Sequence, residues 1–534
     1  MIQIRQLLKN TRDIHHLIYV FLLIAFVIFL PTSKYMTSVL QFLIAIHWAL
    51  RADFQYKLKR LKENKAVWIF LLLFLWHLAG LIYSKNMAYG WHDIKIKIPL
   101  LILPVVIASS EKLNKIEMKL ILLFFVTAVF SSSLVTIAGL NELLRIQIQD
   151  FREASLVISH IRFALLVDLS IFILSFFALR QGLKRWERLL YYGGIGYFIL
   201  FLLLSKSMTG LVIGLIVGLL LSFRWLIIHS GRYSKWIALA GIVALPILVS
   251  LYIRSQINDF YFIRDDIENL ELTTSAGNPY WHDSDNHFLE NGYHVGVYLC
   301  EPELEAGWNK LSKIPYRGRD EKGHAVKNTL IRYLTSKGLR KDYVGVSSLT
   351  NEDIKLIEKG YANVIYKDPK AFQTRIYQLI WQLDVYKKGG NPSGHSLTQR
   401  IEYLKTGFSI FLDNPVFGVG TGDVADAFSA KYKEINTCLE PVWQLRAHNQ
   451  WLTFAIALGS IGLIVAIVAF FGPGILMGRF KQYLFLLFFL VAFISMFNED
   501  TLETQAGVAF IAFFYPLFLF SVPNEPSMTK TKPF

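Results

Sequence analysis

Apolar runs of eighteen residues or more recur along this chain; one of them is "WLTFAIALGSIGLIVAIVAFFGPGIL", beginning at Trp451. Such a run can leave water only in a membrane or a very large core, and in lipid every backbone N–H and C=O must be satisfied within the segment. Helices meet that condition. The chain is 54% hydrophobic and 18% charged, less charged than a typical water-soluble domain. It is therefore predicted to be an all-α polytopic membrane protein with about twelve transmembrane helices. The expected spans lie near 14–31, 36–50, 67–83, 97–110, 119–138, 162–179, 189–204, 209–228, 236–253, 450–471, 483–497 and 506–522. The first apolar run is followed by no small-residue cleavage site and is expected to be retained. Three segments result: 1–253 with nine helices, 254–448 as a large loop domain, and 449–534 with three helices and a tail.

The net charge of +15 does not point to nucleic acid in such a chain. Lys and Arg gather in cytoplasmic loops of membrane proteins. With the N-terminus inside, the basic groups Arg51 to Lys65, Lys112 to Lys119, Arg180 to Arg188, Arg224 to Lys235, and Arg479 with Lys481 all fall on one side. The acidic "NEDTLETQ" (498–505) falls on the other, and both termini are expected inside. The long segment, "SKSMTG" (205–210), "SHIR" (159–162) and "HDIKIK" (92–97) then share the outside face.

The outside segment reads as mostly helical. Gly338 and Gly360 suit left-handed helix ends, Thr350 and Asp353 suit a capping box, and Ser396 suits an N-cap. In the helix starting at Ser396, Ile401, Leu404, Phe408 and Phe411 share a face. The stretch 260–345 gives no clear elements. Cys300 and Cys438 both lie outside, where they could pair or stand as two buried free thiols.

Few local patterns carry chemistry alone. "HDSDNH" (282–287) lacks the glycine and glutamate of a calcium loop, because Phe288 and His294 stand there, so no metal is expected. "NPVFGVGTG" (414–422) has no following Lys-Ser/Thr, so it is no P-loop; Gly418 and Gly420 suit either a phosphate cradle or a tight turn. Arg162, Lys95, Lys97 and Lys206 stand at outer ends of spans, where a lysine or arginine either snorkels or forms part of an anion site. Arg400 lies in the first turn of its helix, a poor place for a cation unless an anion is shared there. His448 and Asn449 open the tenth span, with Arg446 just before.

"NPVFGVGTG" followed by "HNQWLTFAIALGSIGLIV" closely resembles the signature of the O-antigen ligase and O-antigen polymerase superfamily. There a P-x-x-G-x-G turn precedes a His-Asn pair at a helix start, with G-x-x-G soon after, here Gly459 and Gly462. The helix holding Arg400 resembles the family's arginine-containing helix, and "LLLSKSMTGLVIGL" resembles its S-R-x-G span. Met208 stands where the family has arginine, so Lys206 or Arg162 is expected to supply that cation.

The resemblance implies a GT-C-like membrane glycosyltransferase in the bacterial inner membrane, with the large loop periplasmic. It implies transfer from an undecaprenyl-diphosphate-linked glycan to a sugar hydroxyl, on lipid A-core for a ligase or on another glycan for a polymerase, without cofactor or metal. His448 would be the general base and Arg400 catalytic; Arg446, Arg162 and Lys206 would bind the diphosphate, with Asn449, Gly418 and Gly420 supporting. Membrane lipids are the expected surroundings. A protein O-oligosaccharyltransferase is a further rival, and a lipid-linked sugar transporter is the rival outside enzymology. A transporter should carry repeats and mid-membrane charges, whereas the polar residues here crowd the outer ends.

Overall fold

A computed structural model describes residues 14–51, 53–140, 159–205, 207–229, 231–265, 267–283, 288–367 and 372–521. Lys206 and residues 284–287 of "HDSDNH" lie outside the described residues. The described chain is mostly helical, in two compact units. One comprises 1–238, 400–437 and 444–534; the other comprises 239–399 and 438–443. These boundaries differ from the expected divisions at 253 and 448, because residues 400–437 and 444–448 pack with the apolar helices.

The first unit opens with α1 (Ile14–Phe29), α2 (Lys34–Leu50), α3 (Phe54–Glu63), α4 (Lys65–Ala79), α5 (Met87–Lys97), α6 (Pro99–Ser109) and α7 (Lys115–Leu140). It continues with α8 (His160–Ala178), α9 (Arg185–Leu204) and α10 (Met208–His229). Helix α11 (Arg232–Tyr261) runs past the expected span end at 253. Six described helices are long and apolar enough to cross a membrane. Four shorter apolar helices, Ile14–Phe29, Lys65–Ala79, Tyr483–Ser495 and Gln505–Ser521, stand beside them. The expected span 97–110 is represented by α6, which has only 11 residues.

The second unit holds α12 (Glu301–Leu311), α13 (Val326–Ser336), α14 (Tyr343–Ser347), α15 (Asn351–Glu358) and α16 (Phe372–Lys387). Its core buries Trp308, Tyr316, Leu330, Tyr333 and Ile357. Thr350 and Asp353 form the expected capping box on α15, and Gly338 and Gly360 take φ of 68° and 74°. Within the unassigned stretch a short hairpin pairs β1 (Leu289–Glu290) with β2 (Tyr293–His294). Asn291 and Gly292 turn it with φ of 52° and 85°, the positive pair such a tight turn needs. Both cysteines are free; Cys300 is buried and Cys438 exposed.

Helices α17 (Ser396–Asp413), α18 (Val424–Glu434), α19 (Gln450–Leu476), α20 (Tyr483–Ser495) and α21 (Gln505–Pro516) complete the chain. Helix α17 begins at Ser396 itself. In its part within the first unit, Tyr403, Thr406 and Ile410 are buried, while Leu404 and Phe408 are exposed. Leu404 and Phe408, on the shared apolar face, thus lie away from the packed side of the helix. Exposed Leu412, Val416 and Phe417 extend that face, as suits a surface left to lipid. Every residue of α21 from Gly507 to Pro516 is buried. A helix apolar all round belongs in lipid or in a core, and here the last helix is the core. It packs along α6, and α19 packs along α4.

Candidate active site on the first unit

Asn449 caps α19: its Oδ1 accepts from Leu452 N at 3.0 Å, and its Nδ2 donates to Phe497 O at 3.0 Å. The side chain is thus committed to positioning the chain. His448 just before it has φ of 48°. Left-handed backbone costs an ordinary L-residue about 1–2 kcal/mol, so something must hold it there. Its N–H donates to Asp500 Oδ2 at 3.1 Å, while Asp500 Oδ1 accepts from Thr453 at 2.8 Å. The imidazole faces Tyr403 with 5.6 Å between ring centroids. Its Nδ1 lies 3.9 Å from Glu499 Oε2, and its Nε2 makes no hydrogen bond among the described residues.

Glu499 is the hub. Arg400 approaches its Oε1 at 3.3 Å, and Arg162 its Oε2 at 3.9 Å. Arg400 also donates to Asn498 Oδ1, and Asn498 donates onward to Thr209 Oγ1 at 3.0 Å. Arg162 also donates to Ser159 Oγ at 3.2 Å, and its Nε is buried without a partner. Thr209 follows Met208, where the resemblance leads one to expect arginine. Of the two substitutes for that cation, Arg162 stands in the cluster.

A second, deeper network adjoins the first through Asp500. Arg446 donates to Tyr89 OH at 3.1 Å and to Glu503 Oε2 at 3.3 Å. Lys97, fully buried, bonds Glu503 at 3.1 Å and Asp93 at 2.7 Å. Gln450 fixes the other Glu503 oxygen at 3.1 Å. Burial alone would raise the Glu503 carboxyl, but the Lys97 and Arg446 charges outweigh it and hold the group well below the usual carboxylate range. Burial pushes Asp93 and Asp500 upward instead. Burial would lower Arg446, yet the charge of Glu503 keeps it firmly protonated. Four cations (Arg162, Arg400, Arg446, Lys97) thus face four carboxylates (Asp93, Glu499, Asp500, Glu503).

Gly418 and Gly420 serve a different purpose. Helix α19 is broken at Gly459, with φ of 69° and ψ of −169°. The break strands carbonyls that a continuous helix would pair. Val419 N reaches Ile456 O and Gly420 N reaches Ala457 O, both at 2.9 Å, while Ser460 N reaches Pro415 O at 2.8 Å. Gly418 N bonds Asn414 O at 3.0 Å. Both glycine N–H groups are consumed by backbone, so the turn splices the broken helix rather than cradling a phosphate. A Cβ at Gly459 would lie 2.1 Å from Val416 O, and one at Gly418 2.5 Å from Ile456 O. The same loop locks onto the end of α4 and the α4–α5 connection: Thr421 Oγ1 donates to His77 O at 2.7 Å, and Asp423 accepts from Lys85 N and Asn86 N at 2.8 and 2.7 Å.

The structure brings His448, Arg400 and Arg162 together around Glu499, and Arg446 into the adjoining network. It places Asn449 as a cap and the two glycines in the splice. Sequence reasoning took "NEDTLETQ" only as an acidic loop and missed Asn498, Glu499, Asp500 and Glu503 as partners. The signal was available: acidic side chains at a span end facing unpaired basic ones. Among the described residues no group of three His, Cys, Asp or Glu is arranged to hold a metal ion.

Comparison with curated proteins finds no match. Residues 364–467 match the family model for O-Antigen ligase. The matched segment, well under half of the chain, contains Arg400, the 414–422 turn, the His448–Asn449 pair and both Gly459 and Gly462. In that segment, this chain with its long apolar helices is similar to the O-antigen ligase family.

Proposed function

We propose that the chain is an O-antigen ligase-like glycosyltransferase. It moves a glycan from undecaprenyl diphosphate to a sugar hydroxyl of lipid A-core at the periplasmic face of the inner membrane. The observation that carries this reading is the convergence of His448, Arg400 and Arg162 on the single carboxylate Glu499. Two guanidinium groups aimed at one anion match a diphosphate, whose oxygens each accept a fork of donors. The diphosphate takes the place of Glu499 on Arg400 and Arg162. His448 Nε2, without a partner in the resting site, takes the proton of the acceptor hydroxyl. The hydroxyl oxygen forms a bond to the anomeric carbon, and the bond from that carbon to phosphate breaks. The electron pair leaves on the lipid diphosphate, where the arginines stabilise the growing charge. The exposed apolar face of Leu404, Phe408, Leu412 and Phe417 lies beside this machinery and suits the polyprenyl chain.

The test is complementation in a host lacking the gene, read on a lipopolysaccharide gel beside an assay of lipid-linked glycan. A ligase restores the O-antigen ladder, and its loss leaves long lipid-linked polymer. A host that keeps cores bearing a single repeat when the protein is absent identifies a polymerase. Unchanged lipopolysaccharide in the host without the protein counts against both and directs the search to glycosylated proteins.

A further inference from the structure

At the end of the bundle opposite His448 there is a cavity of about 460 Å³. The helices fix its position: α19 runs from Gln450 at the active site, through its break at Gly459, to Leu476 at the cavity. Helix α4 runs the other way, from Lys65 at the cavity to Ala79, next to the splice. The rim carries Arg60, Lys65 and Lys112 against one acid, Glu63, and the inner wall is apolar, with Met477 and Phe520. Lys65 and Lys112 are exposed and form no ion pair among the described residues. Arg60 is fixed instead: its Nη1 donates to Ser110 O, and its guanidinium lies over the Tyr56 ring, 5.5 Å from the centroid. A rigid guanidinium and two uncommitted ammonium groups above an apolar wall match a phosphodiester joined to hydrocarbon.

We propose that this cavity binds the headgroup of an anionic membrane phospholipid, with the phosphate among Arg60, Lys65 and Lys112 and the acyl region against Met477 and Phe520. Three observations select that occupant over a soluble one. The rim has an excess of two positive charges. The wall is apolar. The cavity stands where α4 begins and the apolar helix α19 ends, and basic pockets between the ends of membrane helices hold anionic lipid headgroups. The site is independent of the transfer reaction and is read without it.

The experiment is native mass spectrometry of the purified full chain in detergent, titrated with phosphatidylglycerol and, separately, with phosphatidylcholine of the same acyl chains. The Lys65→Gln/Lys112→Gln variant is compared with a control, Lys59→Gln/Lys62→Gln, which removes two exposed charges of α3 outside the cavity. The wild type and the control are expected to prefer phosphatidylglycerol, and the cavity variant to lose that preference, by about fivefold for each lysine removed. A cavity variant that keeps the preference, or a control that loses it equally, overturns the site. Glycerol phosphate competing as strongly as the lipid overturns the assignment to a membrane lipid.

Discussion

The backbone N–H of His448 donates to Asp500 Oδ2 at 3.1 Å, and this bond holds the histidine in left-handed backbone at the start of α19. The loop before α21 thereby sets the imidazole's position. Asn tolerates left-handed backbone better than most residues but cannot act as a base near neutral pH. The His448→Asn variant should keep its thermal midpoint within a few degrees of wild type and lose transfer activity by about 10²- to 10⁴-fold. Thermal unfolding in detergent and a transfer assay on the same preparation check both halves.

Arg400 divides its guanidinium between Asn498 and Glu499. A lysine keeps the charge and loses the fork, so it cannot hold two partners in that geometry. Arg400→Lys should lower kcat by about 10- to 100-fold, within the range of losing one preorganised donor at a reacting centre. Wild-type kcat in this variant would assign Arg400 to surface charge alone.

A methyl group at Gly459 would meet Val416 O at 2.1 Å, on a backbone whose φ of 69° already disfavours a side chain. Gly193 has nothing within 4 Å. Gly459→Ala should destabilise the protein by more than about 2 kcal/mol, because left-handed strain and a backbone clash add. Gly193→Ala, in the interior of α9, should be neutral or slightly stabilising. Paired unfolding curves decide the matter, and equal midpoints for the two variants would contradict the splice.

Glu503 links Arg446 to the fully buried Lys97. Replacing it leaves cations uncompensated, so Glu503→Gln should cost about 3–5 kcal/mol. The pH dependence carries a definite sign. A carboxyl held below its ordinary value contributes stability that is present above about pH 4.3 and is lost as the pH falls below it. Wild type should therefore lose stability on acidification through that region more steeply than the Glu503→Gln variant. Parallel slopes from pH 5 to pH 3 would show that the pair contributes nothing through ionisation.

Much of this was legible in the sequence because it depends on local rules. The apolar runs mark helices, Thr350 and Asp353 mark a cap, and the arginine-turn-histidine order falls in the segment that matches the family model. What was hidden depends on distance along the chain. Glu499 meets Arg400 and Arg162 from positions 99 and 337 residues away, and no periodicity reports such a pairing. The glycines of 414–422 read as a cradle because a turn needing positive φ looks the same whatever its N–H groups bond. Their partners are the carbonyls freed by the break at Gly459, within a run that reads as one helix. Asn291-Gly292 was a local signal passed over, since its strands are two residues each. The shared apolar face of α17 was legible, but its exposure was not, because the apolar side of a membrane protein's helix can belong to lipid rather than to the core.

The most direct test of the central claim is transfer by the purified chain in detergent from a synthetic polyprenyl-diphosphate glycan to lipid A-core, with wild type and His448→Ala assayed together near neutral pH. The account expects glycosylated lipid A-core from the wild type and, from the variant, product reduced by about two orders of magnitude or more with donor left intact. Equal product from the two proteins would contradict it, because the histidine held by Asp500 beside Glu499 would then not be the base.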